Sequence, residues 1–348
     1  MNTSIGKIYK LLSLVLFFVI NSQLYAQNIS TDSLQLNSKA LIIGLDDLNE
    51  KVIWASGTGA HIFLSTDAGT TWSKHQYEQA DSLQFRAIKA ISATRALVMS
   101  AGEGKASQIF LFDLEAGWKQ VYEMDHEEGF LDAIELLPGK RAIAYGDSFD
   151  KKYFVLMSSK DYQNWEEVDL KVDAGEGEGG FASSGTNIAV QNGQVWIGTG
   201  AGGNANILAS NKSFKQWKKT ETPMIKGEAA GITAIRALDN HLFITGGDLA
   251  ISDQYSDNLF LSENKGVSWT ALPQATTKGA FYGADISKIN GQLVIAVCGP
   301  NGADLWIEGS DKWINISQLN LWTAEFINSN TLLLAGRSGK MLKLKISL

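Results

Sequence analysis

The sequence predicts an all-β protein folded as a seven-bladed β-propeller, which a strand from the N-terminal region closes. Three observations predict this fold: a motif ending in tryptophan recurs, each interval contains four short apolar runs, and the last interval lacks one run. The composition agrees with it, because the 348 residues include 34 glycines and only 4 prolines, as in chains with many short strands and turns.

The recurring motif is clearest in Leu64–Trp72, LSTDAGTTW, which has the S-x-D-x-G-x-T-W pattern of an Asp-box hairpin. Degraded copies end at Trp118, Trp165, Trp217, Trp269 and Trp313. A period of about 40 to 50 residues with four strands in each unit is typical of propeller blades.

Each unit contains four short runs that read as strands a, b, c and d from the axis outward. The complete units are Ala40–Gln76, Phe85–Tyr122, Phe130–Val168, Phe181–Thr220, Ala230–Leu272 and Phe281–Ile316. The last unit, Trp322–Ile346, has strands a, b and c but no d. Because an unpaired edge is a liability, we expect Asp32–Asn37, which alternates as a strand does, to supply the missing strand.

The first 26 residues have the pattern of a signal peptide. Lys7 and Lys10 precede an apolar run, Leu11–Ile20, that is too short to span a bilayer, and Ala26 offers a small residue for cleavage. We therefore expect a single propeller domain over residues 27–348, without a transmembrane segment after cleavage, in the periplasm or secreted. A retained N-terminal anchor is the alternative. The only cysteine is Cys298, so an intramolecular disulfide is impossible.

The charge balance argues against nucleic acid as a partner. The chain has 37 acidic and 30 basic residues, a formal net charge of -7, and it has no basic run. No pattern for a zinc site or for a phosphate-binding loop is present, so we expect neither a metal nor a cofactor. We also expect the protein to be a monomer. A calcium site in the loop Asp248–Asn258 is a weaker alternative, because its oxygen ligands lack EF-hand spacing.

The aspartate of the motif is expected to be structural. Asp67 is replaced by Lys160 and Asn264 in two copies while the tryptophan stays. Since the motif joins strands c and d, the d–a and b–c connections lie together on the opposite face. Propellers usually bind ligands on that face, around the axis, and we call it the axial face.

Polar residues of the axial face are the candidate site. Carboxylates that could act as acid and base in a hydrolase are Asp132, Asp147, Glu178, Glu228 and Asp248. Candidate ligand-binding residues are Arg86, Asp132, Asp147, Ser183, Ser184, Tyr282 and Arg337. Arg86 is the first choice among them, because a guanidinium matches carboxylates and other anions.

Several segments of the axial face resemble a known family. They are FRAI (Phe85–Ile88), GFLDAI (Gly129–Ile134), GDSFDKKYF (Gly146–Phe154), GEGGFASSGTNI (Gly177–Ile188), GEAAGI (Gly227–Ile232) and GGDL (Gly246–Leu249). The chain resembles exported Bacteroidetes-type Asp-box (BNR-like) propellers related to the photosystem II stability/assembly factors. The resemblance implies a periplasmic propeller without an established reaction, whose plant and cyanobacterial relatives hold a partner protein. Sialidases share the Asp-box, but FRAI departs from their FRIP stretch.

Two functions remain open from the sequence. One is a non-enzymatic binding or assembly module that grips a protein, a peptide or a glycan at the axial face. The other is a hydrolase of carbohydrate, like a glycosidase or a sialidase, that uses two of the axial carboxylates. A propeller fold does not choose between them.

Overall fold

A computed structural model describes residues 28–348. It contains seven four-stranded antiparallel sheets, which confirms the predicted seven-bladed propeller. The predicted signal peptide lies outside the described residues. Among residues 28–348, no helix is long and apolar enough to cross a membrane.

The blades follow one another along the chain, with the innermost strand first. Blades 1 to 3 consist of β2 Ile42–Asp47, β3 Ile53–Gly57, β4 His61–Ser65, β5 Ser73–Gln76; β6 Phe85–Ala90, β7 Arg95–Ser100, β8 Gln108–Asp113, β9 Gly117–Glu123; and β10 Leu131–Leu137, β11 Arg141–Phe149, β12 Lys152–Ser158, β13 Trp165–Glu167. Blades 4 to 6 consist of β14 Ile188–Gln191, β15 Gln194–Gly198, β16 Asn206–Ser210, β17 Trp217–Glu221; β18 Ala230–Leu238, β19 His241–Asp248, β20 Leu259–Ser262, β21 Thr270–Ala271; and β22 Gly283–Ile289, β23 Gln292–Gly299, β24 Gly302–Ile307, β25 Ile314–Ser317. Short 3-10 turns occupy Glu78–Ala80, Gly104–Ala106, Lys160–Tyr162 and Arg337–Gly339.

Blade 7 combines both ends of the described chain. Its strands are β26 Leu321–Asn328, β27 Thr331–Gly336, β28 Lys340–Ser347 and, as the outer strand, β1 Asn28–Gln35. Strand β1 pairs antiparallel with β28 over its whole length, from Asn28 opposite Ser347 to Gln35 opposite Lys340. The predicted closure by an N-terminal strand is confirmed, and the strand begins four residues before the predicted Asp32.

The core lies between neighbouring blades, because each sheet buries both faces against the next one. Between blades 1 and 2, for example, Trp54, Phe85 and Phe110 are fully buried in one cluster. The recurring hairpins tie the outer strands together locally. The side chain of Asp67 accepts hydrogen bonds from the N–H and hydroxyl of Thr71, at 2.8 and 2.6 Å. Asp67 therefore stabilises its own turn, as expected from its replacement in other copies.

Blade 4 differs from the prediction. Its innermost strand begins at Ile188 and not at Phe181. Residues 181–187, here called the axial segment, bond instead to other blades: the Ser184 hydroxyl donates to the Tyr282 carbonyl at 2.7 Å, and the Ile235 N–H donates to the Thr186 carbonyl at 2.9 Å. Serine hydroxyls can bond to backbone groups and so replace the regular hydrogen bonds of a strand. Because its partners belong to other blades, the axial segment lies across the axis of the propeller.

Candidate functional site

A pocket of about 280 Å³ opens on the axial face beside the axial segment. It is lined by Arg86, Phe130, Asp132, Asp147, Gly180, Phe181, Ala182, Ser183, Leu249, Tyr282 and Trp322. These residues come from blades 2, 3, 5, 6 and 7 and from the axial segment. The pocket therefore lies at the starts of innermost strands, at the end of strand β11, where Asp147 stands, and in the b–c loop of Leu249.

A repeated backbone irregularity places several of these side chains. In five innermost strands the pairing shifts by one residue, at the second position of four strands and at the fourth position of β18, and the extra residues are Ile43, Arg86, Asp132, Thr233 and Trp322. A β-bulge leaves its extra residue outside the ladder and re-aims its side chain. Three of the five, Arg86, Asp132 and Trp322, line the pocket.

Arg86 is held in place by neutral partners. Its Nη1 donates to the Ala182 carbonyl at 2.9 Å, and its Nη2 donates to Gln84 Oε1 at 2.6 Å. Its guanidinium carbon lies 5.9 Å from the ring centre of Trp322. Burial lowers the pKa of Arg86, and the charge of Asp132 only partly opposes this. Arg86 thus anchors the axial segment while its charge faces the pocket without a close carboxylate from residues 28–348.

Asp132 and Asp147 form an acidic pair in the pocket wall. Asp132 is 1% exposed, and its Oδ2 has no hydrogen-bond partner among the described residues. Burial raises the pKa of Asp132 well above its usual value, and the charge of Asp147 raises it further. Asp147 Oδ1 accepts the Gly180 N–H at 3.2 Å, and burial raises its pKa as well. Burial and the like charge of the neighbouring carboxylate therefore disfavour the state in which both groups are ionised.

A buried asparagine close to this pair, outside the pocket lining, has further unmet hydrogen-bonding capacity. Both amide atoms of Asn187, a fully buried residue, lack partners among residues 28–348. A Cβ atom on Gly180 would come within 2.6 Å of Asp132 Oδ2 and 2.8 Å of Asn187 Nδ2. Asp132 Oδ2 and Asn187 Nδ2 thus both lie close to the backbone of Gly180, where any larger side chain would clash with them. Their lack of partners is unusual, because buried polar groups normally form hydrogen bonds.

Aromatic rings form the remaining wall. Tyr282 and Trp322 meet edge to face, with ring centres 4.7 Å apart and planes at 87°. Phe130 and Phe181 add apolar surface. The pocket can therefore contact an apolar body through its rings and a polar or charged tip through Arg86 and the aspartates.

The structure brings together five of the predicted site residues: Arg86, Asp132, Asp147, Ser183 and Tyr282. Ser184 is buried directly behind them and holds the axial segment through its bond to Tyr282. Ser183 donates to the same carbonyl at 3.3 Å. Both serines therefore fix the shape of the pocket through the backbone.

The other predicted residues lie outside this pocket. Glu228 and Arg337 are exposed, and Asp248 Oδ1 accepts the Ala250 N–H in its own turn, at 2.9 Å. In the alternative calcium loop, the buried Asn258 amide donates to the carbonyls of Gly246 and Gly279. Within the described chain, no group of three or more histidine, cysteine, aspartate or glutamate side chains is arranged to hold a metal ion.

Glu178 is buried but engaged elsewhere. Thr199 and Asn206 donate to its Oε1 at 2.5 and 2.7 Å, and the Gly175 N–H donates to its Oε2 at 2.7 Å. Burial alone would raise the pKa of Glu178, but these hydrogen bonds outweigh it and lower the pKa. Its carboxylate therefore anchors the glycine-rich loop Asp173–Gly180.

The predicted site residues did not include Trp322, although a simple register identifies it. In each innermost strand one residue stands at or just before the start of regular pairing. In chain order these residues are Ile43, Arg86, Asp132, Asn187, Thr233, Tyr282 and Trp322. Three positions further along, the residues are Asp46, Lys89, Glu135, Val190, Arg236, Asp285 and Glu325. Six of these seven are charged, so the same register also predicts a charged ring inside the channel.

This charged ring consists of buried ion pairs. Lys89 Nζ lies 3.0 Å from Asp46 Oδ1 and 2.6 Å from Glu135 Oε2. Arg236 contacts Asp285 at 3.3 Å and Glu325 at 3.0 Å. Burial alone would lower the pKa of Lys89, but its two acidic partners outweigh it and raise the pKa. The ring therefore links the innermost strands of blades 1, 2 and 3 and of blades 5, 6 and 7.

Of three comparisons with known proteins, only the one with solved structures found similar proteins. No protein-family model matches the chain, and no curated protein matches it by sequence. Among solved structures, it is similar to YCF48 bound to D1 peptide, with a TM-score of 0.63 and 12% identity over 90% of this chain and 94% of the other. It is also similar to YCF48 from Cyanidioschyzon merolae, with a TM-score of 0.63 and 14% identity over 91% of this chain and 99% of the other. At these identities the likeness concerns the propeller fold.

Proposed function

We propose that this chain is a monomeric binding or assembly propeller, acting in the periplasm or after secretion, whose axial pocket holds a segment of a partner protein. The pocket itself carries the proposal. It joins an aromatic wall to Arg86 and an acidic pair on a face built from rigid strand ends. Tryptophan, tyrosine and arginine are the side chains that most often carry the binding energy of protein interfaces.

Two further observations support a polypeptide partner. A propeller of similar fold, YCF48, has been solved bound to D1 peptide. The pocket volume of about 280 Å³ also accommodates one side chain of a longer segment. A glycan residue is the alternative occupant of the same surface.

A selection from a random peptide display library tests the proposal. Peptides enriched on the folded protein are synthesised, and their affinity is measured by fluorescence anisotropy. We expect binding to fall at least about tenfold in Arg86→Ala and in Trp322→Ala, since each removes a central contact. Circular dichroism melting confirms that each variant is folded.

Arg95→Ala is the matched control. Arg95 begins strand β7 on the opposite face and pairs with Asp113 at 3.4 Å. Its loss leaves binding unchanged if the axial face is the site. Failure to enrich any peptide, or equal loss in all three variants, contradicts the proposal. A glycan array run with the same variants identifies the alternative ligand class.

A hydrolase is retained as the second candidate because Asp132 and Asp147 share one pocket with raised pKa values. Two carboxyl groups whose environments favour one proton between them can divide acid and base roles. Glu178, Glu228 and Asp248 do not line this pocket. Steady release of sugar from a panel of glycans, abolished in Asp147→Asn, would favour this candidate over the binding module.

A further inference from the structure

The wall of the axial pocket contains an unmet hydrogen-bond acceptor. Asp132 lines the pocket, and its Oδ2 is buried without a partner among residues 28–348. The nearest cation, Arg86, directs three of its N–H groups elsewhere, two to Gln84 and one to Ala182. A ligand group that donates a hydrogen bond to Asp132 would therefore satisfy this acceptor.

The charge balance indicates the sign of that group. Asp132 and Asp147 carry two negative charges when both are ionised, against one positive charge on Arg86. One added cation makes the pocket neutral, whereas one added anion would have to lie beside the buried acidic pair. No lysine or arginine nitrogen among the described residues lies within 4 Å of either carboxylate.

The walls match the stem of a long basic side chain. Phe181, Tyr282 and Trp322 offer apolar faces beside the aspartates. Aromatic faces attract cations that lie over them, and aliphatic stems of lysine and arginine pack along apolar surface. A volume of about 280 Å³ leaves room for one such side chain together with a few waters.

We propose that the axial pocket receives the cationic side chain of a lysine or an arginine on the partner polypeptide, with its charged end at Asp132 and Asp147. This inference rests on the proposed function and adds the chemistry of the partner. In the bound state the cation stabilises both ionised carboxylates, and a proton that the pair holds in its absence passes to solvent. Arg86 keeps its role of holding the axial segment.

The test uses end-blocked pentapeptides of glycine and alanine with lysine, arginine, norleucine or glutamate at the centre. Binding is followed by NMR on the folded protein. We expect the lysine or arginine peptide to bind at least about tenfold more tightly than the norleucine and glutamate peptides. The preference should vanish in Asp132→Asn and in Asp147→Asn, and it should persist in Arg95→Ala.

A second readout separates a binding role from a structural one. The side-chain carboxyl carbons of Asp132 and Asp147 are titrated by NMR with and without butylguanidinium, a mimic of the arginine side chain. We expect the cation to lower the apparent pKa of the pair, since it favours the ionised forms. An unchanged titration overturns the proposal even if the variants weaken binding.

The remaining outcomes are also decisive. Equal binding of the lysine and norleucine peptides, a preference for glutamate, or no binding of any pentapeptide or of butylguanidinium overturns the cation site. The proposed function survives these results if peptides enriched by display still depend on Arg86 and Trp322. Conversely, cation binding without any enriched peptide supports the cation site and contradicts the polypeptide-binding function.

Discussion

Replacing Lys89 by methionine tests whether the charged ring in the channel stabilises the propeller. Lys89 has a side-chain exposure of 7%, and its partners Asp46 and Glu135 have 16% and 17%. At separations near 3 Å and an effective dielectric constant near 20, each pair attracts by about 5 kcal/mol. Desolvation of the three charges offsets much of this attraction. We therefore expect the free energy of unfolding to fall by about 3 to 5 kcal/mol, as is typical when a buried ion pair loses one partner.

Thermal unfolding measures this loss. For a chain of this length, 3 to 5 kcal/mol corresponds to a fall in Tm of about 5 to 8 °C. The penalty should shrink between pH 7.5 and pH 4.5, because the two carboxyl groups left without a cation can take up protons. Adding Asp46→Asn and Glu135→Gln to the variant should restore most of the stability.

Lys288→Met is the matched control. Lys288 pairs with Asp239 at 2.5 Å on the surface, where the two side chains are 35% and 62% exposed. Exposed pairs contribute about 0 to 1 kcal/mol, so the Tm should change by less than about 2 °C. If Lys89→Met costs no more than this control, the buried ion pairs do not stabilise the fold and the reasoning is refuted.

Three further predictions follow from single side chains. Burial raises the pKa of Asp47 to about 7, with a further contribution from the charges of Asp46 and Asp285. The unfolded chain releases this proton near pH 4, whereas the folded state keeps it up to about pH 7. The stability of the wild type therefore falls as the pH rises from about 4 to about 7. Asp47→Asn should therefore exceed wild type in free energy of unfolding by about 1 to 2 kcal/mol at pH 8, a value reduced because the side chain is partly exposed to solvent. At pH 4 the two proteins should be equally stable. Thermal melts between pH 4 and pH 8 measure the difference. Gly185→Ala should cost about 2 kcal/mol and weaken peptide binding, because Gly185 has φ of 67° and an added Cβ would lie 2.5 Å from that of Ala87; an unchanged melt and affinity would contradict this. Asp67→Asn should leave the Tm unchanged while Asp67→Ala lowers it, since in blade 5 Asn264 Oδ1 accepts the corresponding N–H and its Nδ2 donates to the Ser268 hydroxyl (a fall in both would argue against this account).

The fold was largely predictable because one residue per blade repeats. The spacing of tryptophans such as Trp72 and Trp269 counts the blades, and the incomplete last unit indicates closure by a strand from elsewhere. The innermost strand of blade 4 was misplaced because Phe181 and the residues after it have the apolar start of a strand. Their hydrogen bonds to Tyr282 and Ile235 come from blades distant in sequence, which local patterns do not contain.

The site was predictable only in part for a related reason. Arg86, Asp132 and Tyr282 were among the predicted residues because they lie at the start of their innermost strands, and the structure places all three at the pocket. Glu178 precedes Phe181, the predicted start of the innermost strand of blade 4, yet Thr199 and Asn206, 21 and 28 residues later, bind its carboxylate away from the pocket. Such partners follow from the path of a loop in three dimensions. The periodic register of charges, in contrast, was present in the sequence and extends to Lys89.

The pairing of β1 with β28 has a consequence for the order of folding. The two strands pair over their whole length, and next to them Gln35 Nε2 donates to the carbonyl of Ser338, 303 residues away. Ordering a loop of this length costs about 5 kcal/mol of chain entropy, so the ring should seal last, after the other blades have assembled on local contacts. The same seam should be the first to open in the native protein. Amide hydrogens of Asn28–Gln35 should then exchange sooner than those of any inner strand. The pairing of these two strands would therefore limit the stability of the whole ring.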